Sequence, residues 1–246
     1  MNKSIDEEIK KASYFSNRNV AEGMYAGYQF PKYLSAYFQE SDKDLQVLDI
    51  GCGSGQFLGS LKTRGFKNLH GIDINEESIE SCRNNGLDVA MIDDIRHYAK
   101  GSSKKFDRIV MSHVLEHIDK ALIIDTLMHI RQYLLNENGV FLLMVPNAQS
   151  YTGTYWRYED FTHTIMFTAG SCIYALRAAG FTNIEFVDPE GTVHLSFIKR
   201  MIIKQLIRYH RFREDMWNKI LQTSFHKPSP RIYSFELKVA ARQASL

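Results

Sequence analysis

The feature that most constrains this chain is one local pattern used repeatedly: a short apolar run that stops at glycine, proline or polar residues, most often followed by helical spacing. It first occurs at Val47-Leu48-Asp49-Ile50, which ends in Gly51-Cys52-Gly53-Ser54-Gly55. Phe57, Leu58 and Leu61 follow at helical spacing before Gly65 closes the turn. The runs NLHGIDIN (68–75), DVAMIDD (88–94), FDRIVMS (106–112) and VFLLMVP (140–146) repeat the pattern, and Pro146 ends the last of them. Between the fourth and fifth runs, Leu122, Ile123, Leu127, Ile130 and Leu134 mark an amphipathic helix, and NENG (136–139) reads as a turn. Strands alternating with helices predict a mostly parallel sheet covered on both faces, because parallel strands need crossover helices to connect them.

Beyond residue 147 the alternation weakens. Residues 147–168 are aromatic and polar, with loop character. GSCIYALRAAGF (170–181) reads as a helix ended by Gly180, and NIEFVD (183–188) as a strand. A basic helical segment follows over about 195–222, and RIYSFELKVAAR (231–242) alternates like a last strand. The expectation is one domain over 1–246, an α/β fold with seven strands. It comprises N-terminal helices over 1–45 interrupted near Phe30-Pro31, a core over 46–190, a basic helical insertion over 195–230, and an antiparallel last strand over 231–242.

A net charge of +2 on 246 residues gives no bulk field for nucleic acid, so no nucleic-acid partner is expected. The three cysteines, Cys52, Cys82 and Cys172, form no C-x-x-C and suit a reducing cytoplasm. The first fifteen residues, MNKSIDEEIKKASYF, carry no apolar run, so no signal peptide is expected, and no run approaches the ~20 residues of a membrane span.

Glycines after the first strand allow close backbone approach to a ligand and free the amides that open the next helix. Asp73 ends the second strand 22 residues after Gly51, where an acid can accept both hydroxyls of a ribose. The spacing G-x-G-x-G differs from the dinucleotide fingerprint G-x-G-x-x-G, and Asp49 sits badly beside a pyrophosphate but suits a cationic or zwitterionic ligand.

VLDIGCGSGQFL, LHGIDIN, AMIDDI, FDRIVMSHVLEHI and LLNENGVFLLMVPN, in that order, resemble the class I S-adenosylmethionine-dependent methyltransferases over about residues 45–190, with the last strand at 231–242. The resemblance implies a Rossmann-like seven-stranded fold and S-adenosyl-L-methionine as cofactor. It places Asp49, Gly51, Gly53 and Gly55 at the methionine part, and Asp73 with Ile74 at the ribose. Asp94 (or its neighbour Asp93) and Ile95 fall at the adenine. Ser112 and His113 line the methionine side.

MSHVLEHI (111–118) contains H-x-x-E-H, which read alone is a zinc-peptidase pattern. Such a site needs both histidines on a long helix. Here an apolar strand runs up to Met111 and the clear helix begins only near Asp119. Ubiquinone-biosynthesis O-methyltransferases resemble this stretch with E-x-x-E-H and are associated with a divalent metal. His113 replaces the first Glu, and magnesium prefers oxygen ligands, so no metal is expected. Glu116 and His117 are then polar residues shaping the pocket beside the methyl donor.

TYWRYEDFTHTIMFTAGSCIYALRAAGF (154–181) follows the fifth strand, where α/β folds place their ligand crevice. Its D-x-T-H-x-x-x-F-T form resembles methyltransferases of bacterial surface polysaccharides, such as those of O-antigen. That resemblance implies a sugar hydroxyl, on the glycan or its lipid-linked precursor, as acceptor. Tyr155, Trp156 and Arg157 become substrate-binding candidates, and His163, with Asp160 three residues before it, the candidate general base. The same pattern is compatible with His163 capping a turn and Trp156 packing the core. Two other functions stay open: a small-molecule (quinone or natural-product) O-methyltransferase, and a cofactor-binding scaffold without turnover.

KRMIIKQLIRYHRFR (199–213) holds six Lys/Arg and no acid, and Ile198, Met201, Ile202, Leu206 and Tyr209 form one apolar stripe. Such a helix meets an anionic membrane, making the protein peripheral at its inner face. Alternatively it docks on its own domain or on the twin subunit of a homodimer.

Overall fold

The computed structural model describes residues 27–225 and 229–243; the expected helices before residue 27 lie outside them. One seven-stranded sheet runs through the described chain in the order β3-β2-β1-β4-β5-β7-β6. Its strands are β1 (Gln46–Ile50), β2 (Asn68–Asp73), β3 (Val89–Met91), β4 (Phe106–Ser112), β5 (Leu135–Pro146), β6 (Phe181–Phe186) and β7 (Glu236–Gln243). Strands β1 to β5 pair parallel, and β7 enters antiparallel between β5 and β6. The helices are α1 (Gln56–Thr63), α2 (Glu76–Asn84), α3 (Ile95–Gly101), α4 (Ile123–His129, continued by a π-helical turn over Ile130–Leu134), α5 (Gly153–Glu159), α6 (Ala169–Ala178) and α7 (Phe197–Ile220). This is the Rossmann-like class I methyltransferase architecture expected from the sequence.

The two-residue period of the strands sorts side chains between two cores. Leu48, Ile50, Ile109, Met111, Phe141 and Leu143 join the core under α3, α4 and α6. Val47, Val110, Leu142 and Met144 face the other way and pack with Leu34, Phe38, Phe57 and Leu61. Asp49 alternates onto that second face, as do Glu236 and Lys238. The strand order reverses between β1 and β4, and a crevice opens there at the carboxyl ends of the strands.

Four expectations shift. The chain over 32–37 and 40–42 forms 3-10 turns rather than helices. NENG lies inside β5, as an irregularity where the register with β4 shifts between Phe106 and Arg108. The helix expected near Asp119 starts at Ile123, because Leu115–His117 forms a separate 3-10 turn. The last strand begins at Glu236, since 231–235 is held off the sheet. There Asn147 donates from Nδ2 to the carbonyls of Ile232 (2.8 Å) and Ser234 (2.9 Å). No described helix is long and apolar enough to cross a membrane.

Candidate active site

The crevice is a cavity of about 380 Å³. Its floor comes from the ends of β1 and β2, through Gly51, Gly53, Asp73 and Ile74, and its sides from Asp94, Ile95, His113 and His117. Gly51 has φ +73°, and a Cβ there would meet Val114 Cγ2 at 2.2 Å, so the turn closes onto the β4 loop only as glycine. Asp73 accepts from the Gly53 amide (2.8 Å) and the Asn75 amide (2.9 Å), which presents its carboxylate at the cavity wall. Asp49 is buried one layer below. Burial, with the charge of Asp73 second, pushes its carboxyl up to about 7.

Of the residues expected at the cofactor, Gly51, Gly53, Asp73, Ile74, Asp94, Ile95 and His113 line the cavity. Asp49, Gly55 and Ser112 do not. A Cβ on Gly55 would meet Leu87 Cδ1 at 2.4 Å and Cys82 Sγ at 2.8 Å, so its absence lets α1 pack against α2 rather than opening the pocket. Asp94 is the N-cap of α3 and receives its hydrogen bonds from Arg96, which hold its carboxyl down at about 2. Its neighbour Asp93 is largely exposed at the wall. Spacing did not reveal Val114, Ile118, Leu122 or Thr162, which complete the apolar side.

The acceptor side differs most from expectation. His163 is nearly buried and does not line the cavity; its Nδ1 meets the Trp156 carbonyl at 2.8 Å, and since a carbonyl only accepts, that nitrogen carries the proton. Nε2 lies 3.8 Å from Asp160 Oδ2 and 3.9 Å from Glu116 Oε1. Asp160, expected to orient His163, reaches His117 instead through a hydrogen-bonded relay. Thr162 Oγ1 donates to Asp160 Oδ1 (2.6 Å) and accepts from His117 Nδ1 (2.8 Å). His117 does line the cavity, and burial lowers its pKa, so it is neutral at pH 7. Tyr155, Trp156 and Arg157 sit on α5 away from the cavity: Arg157 lies over the Tyr158 ring, and Trp156 packs edge-on to Tyr155.

Glu116 is fully buried, with neither carboxylate oxygen hydrogen-bonded, in a nest of His113, His117 and His163. The Thr164 amide donates to the Glu116 carbonyl (2.8 Å) and ties the two loops together. Potential ligand atoms of Glu116, His117 and His163 fall within 4.8 Å of one another, a set of two nitrogens and one oxygen.

A methyltransferase-domain family model matches residues 21–186, and the chain belongs to that family. Among curated proteins, the ubiquinone biosynthesis O-methyltransferase of Rickettsia canadensis is 26% identical over 120 residues, 46% of this chain and 48% of that protein. The enzyme of that name from Neisseria meningitidis serogroup C is 33% identical over 89 residues, 32% of this chain and 36% of that protein. The chain thus spans less than half the length of these relatives. A SAM-dependent methyltransferase structure from Archaeoglobus fulgidus shares the fold, with TM-score 0.60 and 21% identity, covering 98% of this chain and all of that one.

Proposed function

We propose that the methyl group this enzyme takes from S-adenosylmethionine goes to the hydroxyl of a small aromatic molecule rather than to a surface-glycan sugar, a reading supported by its similarity to O-methyltransferases named for ubiquinone biosynthesis. The cavity suits the donor. A buried carboxylate at Asp49, kept from ionising freely by its surroundings, gains from a cationic ligand, and the donor carries an ammonium and a sulfonium. Asp73 would hold the ribose hydroxyls, and Ile74, Ile92 and Ile95 would flank the adenine. Asp93, with its exposed carboxylate, is better placed than Asp94 for the adenine amino group.

The observation that carries the acceptor reading is the His117–Thr162–Asp160 chain at the cavity wall. With Nδ1 protonated toward Thr162, His117 is left with Nε2 as the acceptor atom. When bound, S-adenosylmethionine supplies an electrophilic methyl on sulfur. As the acceptor oxygen forms its bond to that carbon, the carbon–sulfur bond breaks and S-adenosylhomocysteine leaves. His117 Nε2 takes the hydroxyl proton, and Thr162 and Asp160 fix the ring and stabilise the imidazolium. A phenol, with a pKa near 10, gives up that proton to an imidazole far more readily than a sugar alcohol does. Around the mouth, Val114, Ile118 and Leu122 offer apolar rather than sugar-binding contacts. The residues expected to grip a glycan lie elsewhere, on α5.

Turnover of a catechol bearing an apolar side chain, set beside a hexose glycoside, tests the reading. Methylation of the catechol only is expected; methylation of the glycoside only would restore the glycan acceptor. Donor binding without turnover of either would favour the scaffold.

A further inference from the structure

Helix α7 is 24 residues long, about 36 Å at 1.5 Å per residue, and none of its residues is buried. It leans on the body through Arg200, Ile203, Ile207, His210, Glu214 and Asn218, which recur every three or four residues and are its half-buried positions. Tyr233 Oη donates to Glu214 Oε2 (2.5 Å), and the His210 ring meets Tyr233 edge-on. The face turned away is apolar. Ile198, Ile202, Leu206, Tyr209, Met216 and Ile220 fall within about 80° of arc at 100° per residue. They are 72%, 54%, 60%, 62%, 40% and 59% exposed. Among the described residues, nothing covers the stripe seen in the sequence.

At 100° per residue Lys199 edges the stripe and Arg213 falls inside its arc, while Arg208, Lys204 and Arg211 lie farther round the helix; no acid occurs in α7 before Glu214. Glu214 and Asp215 are both drawn to Arg231, at 3.7 and 2.7 Å. An exposed apolar face of this length, broken only by Arg213, marks an interaction surface. We propose that α7 lies on an anionic phospholipid bilayer, with its stripe sunk at the acyl-chain boundary and its cations against headgroup phosphates.

Charge selects lipid over a second copy of the chain. Two α7 helices packed stripe to stripe would bury Arg213 of each copy and bring Lys199 to the contact edge, in a segment with no acid to meet them. Tyr209 and Trp217 supply rings with an apolar body and a polar tip, suited to the headgroup level. The Tyr151 ring lies 4.8 Å from that of His210, and its hydroxyl 3.5 Å from Arg213 Nη1. The docking does not depend on which acceptor is methylated.

Sedimentation of the full chain with vesicles tests this. Binding is expected to phosphatidylcholine vesicles doped with phosphatidylglycerol and not to phosphatidylcholine alone. It should weaken sharply near 1 M salt, where the Debye length is about 3 Å. The double variants Ile202→Glu/Leu206→Glu and Lys204→Glu/Arg208→Glu should each lower partitioning at least about tenfold. Both should keep wild-type affinity for S-adenosylmethionine, since none of the four residues lines the cavity. Three results would overturn the proposal: no wild-type binding to phosphatidylglycerol vesicles at low salt, equal binding to neutral vesicles, or a dimer in solution that the apolar variant dissolves.

Discussion

His113 joins two parts of the chain 123 residues apart: its Nε2 lies 3.1 Å from Oε2 of Glu236, the first residue of β7, while Nδ1 lies 3.3 Å from Glu116 Oε1. The turn that allows this is strained, with His113 at φ +55°. Burial disfavours the charged ring, but the Glu116 and Glu236 carboxylates beside it outweigh that and push its pKa up to about 10. The ring's exposed 44% faces the cavity; the rest is walled by protein.

A first prediction follows from the sign of that shift. The folded pKa lies above the unfolded value of about 6.5, so the stabilisation is complete below pH 6.5 and is lost as pH rises toward 10. After allowance for exposure, His113→Ala should cost about 1–3 kcal/mol at pH 7, with part of the cost coming from Glu116 left buried beside one fewer histidine. Thermal melts from pH 6 to 10 should show the wild type falling toward the mutant. Parallel curves would mean that His113 is neutral when folded.

Asp49 links donor binding to protons. Its carboxyl stands at about 7 in the folded protein, so near pH 6 it is mostly protonated, and a cationic ligand should drive the proton off. Affinity for S-adenosylmethionine should rise with pH up to about 7 and then level. Calorimetry at pH 6 in buffers of different ionisation enthalpy should show release of about half to one proton per site. Asp49→Asn should release none. Equal proton counts in the two proteins would remove Asp49 from the linkage.

Asp73→Ala should weaken S-adenosylmethionine by about 2–3 kcal/mol, the usual loss for hydrogen bonds to a charged acceptor. Part of the loss would arise from the Gly53 and Asn75 amides, which Asp73 now orders. Wild-type affinity by calorimetry would take Asp73 out of the site, and NAD should give no heat.

The five parallel strands were legible because each apolar run ends on a residue that turns the chain or breaks the run, as at Ile50-Gly51, Ile72-Asp73 and Val145-Pro146. Helix α7 was legible as an amphipathic period, but the direction of its stripe was not. The face it turns inward carries His210 and Glu214, whose reason for being there is Tyr233 rather than anything nearby in sequence. Glu236 gave no signal. Its place beside His113 exists only because β7 runs antiparallel to β5 and sets Glu236 opposite Pro146. Thr162 was passed over for a like reason: a threonine between two more reactive residues becomes informative only when its hydroxyl spans Asp160 and His117.

The Glu116, His117 and His163 cluster makes a metal test worthwhile. Magnesium prefers an oxygen-rich shell, and this set offers one carboxylate, with His113 turned to Glu116 and Glu236. EDTA should leave turnover within about twofold, and added magnesium should change nothing. Collapse rescued by zinc or manganese, which accept imidazole, would instead make these three residues a ligand set.

The last prediction separates the two histidines offered as base. His163 is held by the Trp156 carbonyl and lies off the cavity wall, so its part is to shape the loop around Glu116. His117 is on the wall, neutral, and oriented through Thr162. His117→Ala should therefore bind S-adenosylmethionine normally while kcat falls by roughly 10²–10⁴, the range for loss of a general base. Thr162→Val should keep donor affinity and lose about tenfold or more in kcat, because the ring loses its orienting partner. Burial lowers the His117 pKa, so the wild-type rate should rise with pH along a limb centred below about 6.5, and that limb should vanish in His117→Ala. His163→Gln should keep the limb and lower stability more than kcat. If instead the limb survives in His117→Ala and vanishes in His163→Gln, the base is His163 and the loop must open to admit the acceptor.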